Sequence, residues 1–201
     1  MSASDVIRRH YSHWRDRERR VRIAISASLL LALCTGLPHA SHAFALEHDE
    51  LAVRAAFVFN LTKYVEWPHA GNQLTVGFVG DGPMGEVLKQ TLDGKTSDAR
   101  RIDVLLAPSD SALERCDLLY VAYTSSRKNR EVIERLRNHE ILTVGETDAF
   151  ARERGMIGLV KKGNQIQIQI NLEAARVAGI KVSSRLLSVA TVIDATPEGR
   201  N

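Results

Sequence analysis

Residues 74–92, LTVGFVGDGPMGEVLKQTL, decide the fold class, because they place a strand, a tight turn and a helix in direct succession. Leu74 to Val79 form a short apolar run bounded by glycine, which is typical of a buried strand. Pro83 suits the first turn of a helix, where its missing N–H costs no hydrogen bond, and this helix is predicted to end at Leu92. This order predicts the opening of a βαβ unit.

The same alternation continues along the middle of the chain. Further apolar runs lie at Arg101–Ala107, Asp117–Tyr123 and Ile141–Val144, and an amphipathic helix is predicted over Arg127–Asn138. Apolar strands that alternate with amphipathic helices are typical of parallel βαβ units with helices on both faces of the sheet.

The last third of the chain changes character. Met156–Val160 and Gln165–Ile170 flank the turn sequence KKGN, residues 161–164, and therefore predict an antiparallel hairpin. In the second strand, QIQIQI, strict alternation predicts isoleucines that face the core and glutamines that face water. The predicted fold class is α/β: a single domain with a mixed sheet, parallel βαβ units, a C-terminal antiparallel hairpin and helices on both faces.

A helix is predicted to precede the sheet. It covers residues 49–67, with Asp49 as its N-cap and Pro68 as its stop after Trp67. The apolar residues of this segment spread over more than one helical stripe, so the helix is expected to be mostly covered.

Two helices are predicted after the hairpin. The first is short, runs from Leu172 to Ala178 and ends at Gly179. The second is apolar, is capped by Ser183 or Ser184 and is expected to run through Ile193.

The basic charge of the chain is concentrated at its N-terminus. In total 27 Lys and Arg residues exceed 24 Asp and Glu residues, so the formal charge is +3 and the pI is near 9.0. Residues 1–22 hold seven arginines and three acidic residues, which leaves residues 46–201 with 20 basic and 21 acidic side chains, a net charge of −1. Because the two signs are interspersed in this remainder, nucleic acid is not predicted as a partner.

The N-terminal segment has the layout of a secretory signal peptide: a basic region, an apolar stretch over residues 23–37 and a small-residue exit. The apolar stretch is shorter than the roughly 20 residues that span a bilayer. We therefore predict a signal peptide over residues 1–45, cleaved after Ala43 or Ala45, and a periplasmic domain over residues 46–201. An uncleaved signal anchor is the alternative.

Export would leave a single thiol, because Cys34 lies in the predicted signal peptide and Cys116 is the other cysteine. One cysteine cannot form an intrachain disulfide, so we interpret Cys116 as a small apolar residue that enters a strand. An intermolecular disulfide is the alternative.

The clearest chemical motif is a G-x-G-x-x-G sequence at residues 80–85, between the first predicted strand and its helix. Asp81 would place a negative charge where the phosphates of a dinucleotide should lie, so we interpret the glycines as turn residues and predict no cofactor. The histidines beyond residue 45 are isolated, at positions 48, 69 and 139, and nucleophile motifs are absent. Neither a metal site nor catalytic residues are predicted, and the protein is expected not to be an enzyme.

Two blocks of sequence carry a family resemblance. AAFVFN at residues 55–60 continues into KYVEWP at 63–68, and IKVSSRLL occupies residues 180–187. With shorter matches between these blocks, the chain from about Leu51 to Val192 is similar to the YfiR family of periplasmic proteins.

The resemblance implies a non-catalytic regulator in the periplasm. The family's namesake represses a membrane-bound diguanylate cyclase of the inner membrane by binding the periplasmic sensor region of the cyclase, which lowers cyclic-di-GMP and biofilm output. The resemblance also implies an outer-membrane lipoprotein as a partner that sequesters the repressor, and a homodimer is a further candidate assembly.

For the partner surface we single out Glu66 and Trp67 in the first block, together with Asn171 and Arg185 near the hairpin. An exposed Trp or Arg is a typical anchor of a protein interface. The alternative is that Trp67 packs in the core and Asn171 caps the helix that follows it. The alternative function is a periplasmic small-ligand-binding module, which would use the crevice at the carboxyl ends of the parallel strands.

Overall fold

A computed structural model describes residues 40–67 and 71–193, with side chains from residue 50 onward. The chain divides into two units, residues 1–46 and 47–201, and the fold described below is that of the second unit. The predicted signal peptide lies outside the described residues, apart from the backbone at its C-terminal end.

The described residues contain six helices and ten strands. The helices are α1 (Ala40–Tyr64), α2 (Met84–Leu92), α3 (Asp110–Leu113), α4 (Ser126–Leu136), α5 (Leu172–Val177) and α6 (Ser184–Leu187). The strands are β1 (Val65–Glu66), β2 (Gln73–Gly80), β3 (Thr96–Ser97), β4 (Arg100–Leu106), β5 (Leu118–Ala122), β6 (Leu142–Gly145), β7 (Ile157–Lys162), β8 (Gln165–Ile170), β9 (Lys181–Val182) and β10 (Thr191–Val192).

Eight of these strands form one mixed sheet in the order β10-β8-β7-β6-β5-β2-β4-β3. The central neighbours are parallel, from β4 through β2, β5 and β6 to β7. The hairpin β7–β8 and the edge pair β3–β4 are antiparallel, and β10 pairs with β8 in parallel. The α/β class with parallel units and a C-terminal hairpin is therefore confirmed.

Both faces of the central strands are buried, as the continuous apolar runs of the sequence predict. On β5, Leu118 and Tyr120 belong to one hydrophobic cluster, whereas Leu119 and Val121 belong to the other. Helices α1 and α2 pack into the first cluster, and Ile133 and Leu136 of α4 pack into the second, so the helices do cover both faces.

The first helix differs from its prediction at both ends. It begins at Ala40, so Asp49 lies inside α1 and is not its N-cap, and it ends at Tyr64. The next two residues are extended and pair with β9, and the β-branched Val65 lies opposite Val182. This long-range pairing ends the helix three residues before Trp67, and Pro68 lies outside the described residues.

The predicted alternation of QIQIQI holds except at Gln169. Gln169 is 3 % exposed, and its Nε2 donates to Asp148 Oδ1 at 2.9 Å. At this position β8 lies between β7 and β10, and the loop before β7 covers the strand end. Gln169 was therefore wrongly predicted to face water.

The final helix is shorter than predicted. Ser183 is its N-cap, and its side chain accepts a hydrogen bond from Leu186 N, but the helix ends at Leu187. The chain then becomes extended, because the edge of β8 offers backbone partners: Ile193 N donates to Ile170 O at 2.8 Å. Residues up to Ile193 thus extend the sheet.

Candidate partner-binding surface

The two sequence blocks meet in a two-stranded antiparallel ribbon, β1–β9, which we call the ribbon. Val65 lies opposite Val182, and Glu66 lies opposite Lys181. The pairing continues beyond the strands, since Ser183 N donates to Tyr64 O at 2.9 Å. The ribbon thus fixes the C-terminal end of α1 beside the N-terminal end of α6.

Trp67 closes the end of α1. Its indole Nε1 donates to the carbonyl oxygen of Thr62 at 3.0 Å, which satisfies one of the carbonyls that a helix end leaves without an intrahelical donor. The side chain is half-buried and packs against the larger hydrophobic cluster. Trp67 therefore has a structural role and is still partly exposed.

The ribbon presents an exposed ion pair. Lys181 Nζ lies 3.5 Å from Glu66 Oε2, and the two side chains are 78 % and 73 % exposed. Surface pairs of this kind contribute little to stability. Glu66 and Lys181 can therefore give up their mutual ion pair and pair with charged groups of a partner at a small cost in free energy.

A cleft of about 280 Å³ lies beside the ribbon. Glu66 and Trp67 line it from one side, and Ser97, Asp98 and Arg100 line it from the β3–β4 hairpin. Asp98 and its neighbour in this hairpin turn both adopt positive φ angles, 47° and 64°, as the tight turn between antiparallel strands requires.

Arg185 and Asn171, the other two residues predicted for the partner surface, lie in different environments. Arg185 is exposed on α6, two residues after the N-cap Ser183, and so belongs to the surface beside the ribbon. Asn171 is 0 % exposed: its Nδ2 donates to Ala151 O at 2.7 Å, and its Oδ1 accepts from Ala174 N at 2.9 Å. Asn171 is the N-cap of α5, as the alternative held, and lies in the interior.

Sequence reasoning missed Lys181, Asp98 and Arg100 as neighbours of Glu66 and Trp67. Lys181 lies in the second block, so the family resemblance could have indicated it. Asp98 and Arg100 come to the cleft only through the pairing of β3 with β4, and their local sequence carries no motif.

Comparison with known proteins bears on both blocks at once. The profile of a family described as YfiR/HmsC-like matches residues 51–191, which include the two strands of the ribbon. The chain belongs to the YfiR/HmsC-like family. Membership supports, at a coarse level, a periplasmic regulator of diguanylate cyclase signalling. No curated protein matches the chain significantly.

In this YfiR/HmsC-like chain the G-x-G-x-x-G glycines have packing roles. A Cβ on Gly80 would lie 2.5 Å from the carbonyl carbon of Ala122, and one on Gly85 would lie 2.6 Å from the ring of Phe78. The lack of a side chain at Gly80 lets β2 approach β5, and the lack of one at Gly85 lets α2 approach β2. Both roles agree with the interpretation of the motif as a strand-to-helix turn.

Asp81, between these glycines, joins two loops. Its carboxylate accepts a hydrogen bond from Thr124 N at 2.9 Å, and this bond holds the pKa of Asp81 below its ordinary value. Its own backbone N–H donates to Ala122 O at 2.9 Å. These hydrogen bonds join the loops after β2 and β5 at one edge of the sheet.

This edge borders a crevice of about 320 Å³ at the carboxyl ends of the central strands. Strand β2 lies between β4 and β5 in the sheet. The chain passes from β2 to β4 on one side and then crosses to β5 on the other, so the crevice lies where the strand order reverses. Asp81, Tyr123, Thr124 and Glu146 are among its lining residues.

Cys116 is buried, in agreement with its interpretation as an apolar residue. Its Sγ lies 3.5 Å from Ala112 O. Burial, with a smaller contribution from the charge of Asp117, raises the pKa of the thiol to about 11. A neutral, enclosed thiol is a poor nucleophile, which disfavours the intermolecular disulfide.

Within residues 50–67 and 71–193, no group of His, Cys, Asp and Glu side chains could hold a metal ion. Among the helices described, none is long and apolar enough to cross a membrane. Of the three histidines beyond residue 45, the absence of a metal site applies only to His139, because the side chains of His48 and His69 are not described.

Proposed function

We propose that this YfiR/HmsC-like protein is a non-catalytic periplasmic repressor of a membrane-bound diguanylate cyclase, and that it binds the periplasmic sensor region of the cyclase through the surface around the ribbon. The single observation that carries the proposal is the family match over residues 51–191, which contains both strands of the ribbon. The predicted signal peptide over residues 1–45 supports the compartment.

The proposed mechanism is allosteric linkage. A protein that binds one state of a sensor domain more tightly than another shifts the sensor toward the first state by the ratio of the two affinities. No active site is needed for this effect. The repressor would lower cyclic-di-GMP, and hence biofilm output, by stabilising the inactive state of the cyclase.

The ribbon has the features of an interface. Its surface combines Glu66 and Lys181, which carry opposite charges, with the nearby exposed Arg185 and the half-buried Trp67. Aromatic and arginine side chains are enriched in interface hot spots, and charged neighbours govern partner choice. Trp67 is held in place by its bond to Thr62, so binding costs little side-chain entropy there.

The test reverses the charges of the ribbon while keeping its ion pair. We expect a strain that lacks the gene to show raised cyclic-di-GMP and biofilm, and the wild-type protein to restore both and to co-purify with a membrane diguanylate cyclase. The double variant Glu66→Lys with Lys181→Glu can still form the local pair, but presents reversed charges to the cyclase. We expect it to be exported at normal levels and to fail in repression and co-purification.

The matched control is the exposed pair Arg127–Glu131 on α4, 3.3 Å apart, exchanged in the same way. It should repress like the wild type. Unchanged cyclic-di-GMP in the deletion strain, with no cyclase in the purified fraction, would contradict the function. Full activity of the ribbon double variant would contradict the assignment of the surface.

A second candidate function is the binding of a small ligand, and the crevice beside Asp81 favours it. A thermal-shift screen of the exported protein tests this, because a ligand at 100 times its Kd adds about 2.7 kcal/mol to the free energy of unfolding. Loss of the shift in Thr124→Trp, which fills the crevice, would assign the ligand to this site.

A further inference from the structure

A separate cavity of about 170 Å³ lies between α4, α5 and the residue that precedes β7. Its walls are mainly apolar and come from Ile133 and Leu136 of α4, Met156, and Ala174 and Val177 of α5. An apolar protein cavity of about 150 Å³ is large enough to bind benzene. This cavity can therefore hold one aromatic ring with a small substituent.

The charged side chains of the lining, Arg137, Arg154 and Glu173, all have oppositely charged neighbours. Glu134 lies 3.8 Å from Arg137 and 4.0 Å from Arg154, and Glu173 forms two hydrogen bonds with Arg176, at 2.6 and 2.8 Å. A charged ligand would have to compete with these contacts, while its charge lost hydration against the apolar walls. The cavity therefore favours an uncharged ligand.

Thr143 places one polar group inside the cavity. It lies on β6 and is only 2 % exposed, and its hydroxyl oxygen accepts a hydrogen bond from Met156 N at 3.1 Å. A threonine hydroxyl can also donate one hydrogen bond, and within residues 50–67 and 71–193 the hydroxyl hydrogen has no acceptor. The cavity wall therefore carries a buried donor that an oxygen atom of a ligand can satisfy.

We propose that this cavity binds a small uncharged aromatic carbonyl compound, with the ring beside Met156 and Val177 and the carbonyl oxygen on the Thr143 hydroxyl. A carbonyl oxygen accepts without bringing a hydrogen of its own, so it satisfies Thr143 and buries no unpaired donor. Contact between a methionine sulfur and an aromatic ring adds to the attraction. The proposal does not rest on the proposed function, since none of the cavity residues lines the cleft beside the ribbon or the crevice beside Asp81.

The methionines provide a separate probe for each site. Beyond residue 45 the chain has two of them, Met156 in this cavity and Met84 in the crevice beside Asp81. The test titrates acetophenone into the exported protein with isotope-labelled methionine methyl groups and follows both methyl signals by NMR. We expect the Met156 signal to shift saturably at millimolar concentrations or below, and the Met84 signal to stay in place.

Two analogues of similar size test the ligand class, because ethylbenzene lacks the acceptor oxygen and benzoate carries a charge. We expect acetophenone to bind at least about tenfold more tightly than benzoate. Thr143→Val keeps the shape of the side chain and removes the hydroxyl, so the affinity for acetophenone should fall about threefold to tenfold relative to that for ethylbenzene. The ethylbenzene reference corrects for any change in cavity shape, since the variant also removes the acceptor of Met156 N. Thr143→Ser, which retains a hydroxyl, should keep the wild-type ratio.

Val177→Phe, at a position 41 % exposed on the cavity wall, fills the space and should abolish the shift of the Met156 signal. The matched control is Leu172→Phe, 37 % exposed on the same helix and outside the lining, which should bind acetophenone like the wild type. A shift of Met84 alone, wild-type affinity in Val177→Phe, or no saturable shift at millimolar concentrations would overturn the site. Equal affinity for acetophenone and benzoate, or an unchanged ratio in Thr143→Val, would overturn the ligand class.

Discussion

The central sheet and the ribbon differ in what their side chains face. On β5, Leu118 and Leu119 are both fully buried because helices cover the two faces of the sheet. In the ribbon, each strand has two residues, and Glu66 and Lys181 face solvent. A two-stranded ribbon has little stability of its own. The comparison indicates that the sheet supplies most of the stability, whereas the ribbon leaves charged side chains accessible at the surface.

The largest expected effect is in the sheet. Leu118→Ala removes a side chain of 0 % exposure from the larger cluster and leaves a cavity, so we expect the free energy of unfolding to fall by about 2–5 kcal/mol. Urea denaturation should show a lower midpoint with an unchanged slope. Val189→Ala, at a site 71 % exposed, is the control and should change stability by less than about 0.5 kcal/mol. Equal losses of stability in the two variants would contradict the conclusion that the buried sheet supplies most of the stability.

A pH effect should also originate in the sheet region. The thiol of Cys116 has a pKa of about 11 in the fold and 9.0 as its ordinary value. The unfolded chain therefore releases this proton first, and the free energy of unfolding should decrease as the pH rises from about 9 to 11. Denaturant titrations at several pH values measure this decrease, and it should be smaller in Cys116→Ala.

The same thiol should resist modification in the native protein at pH 8 and react fully in denaturant, because the neutral thiol is enclosed. Fast modification without denaturant, or a disulfide-linked dimer on a non-reducing gel, would show that the surroundings of Cys116 open readily.

The smallest effect on stability is expected beside the ribbon. Trp67→Phe keeps an aromatic ring in place and removes the donor to the Thr62 carbonyl oxygen. We expect a loss of about 0.5–1.5 kcal/mol in urea denaturation, the usual net contribution of one hydrogen bond. A loss as large as that of Leu118→Ala would mean that the ribbon is part of the stabilising core.

Local pattern was sufficient for the central strands of the sheet and for the hairpin, but not for the edge strands β3 and β10. The run Leu74–Val79 became β2, and the hairpin around residues 161–164 became β7–β8, because side-chain period and turn residues act over a few positions. The same reasoning failed at Gln169, whose environment depends on Asp148 and on the edge strand β10. Burial of that glutamine is set by elements that the strand itself does not encode.

For the candidate surface, the sequence by itself determined which blocks carry the family resemblance: these are KYVEWP and IKVSSRLL, which contain Glu66, Trp67 and Arg185. Only the tertiary structure decided that the two blocks pair as β1 and β9, that Lys181 lies opposite Glu66, and that Asn171 is an interior cap. The physical reason is that strand pairing joins backbone groups far apart in the chain. Helix and turn signals, in contrast, are complete within a few residues.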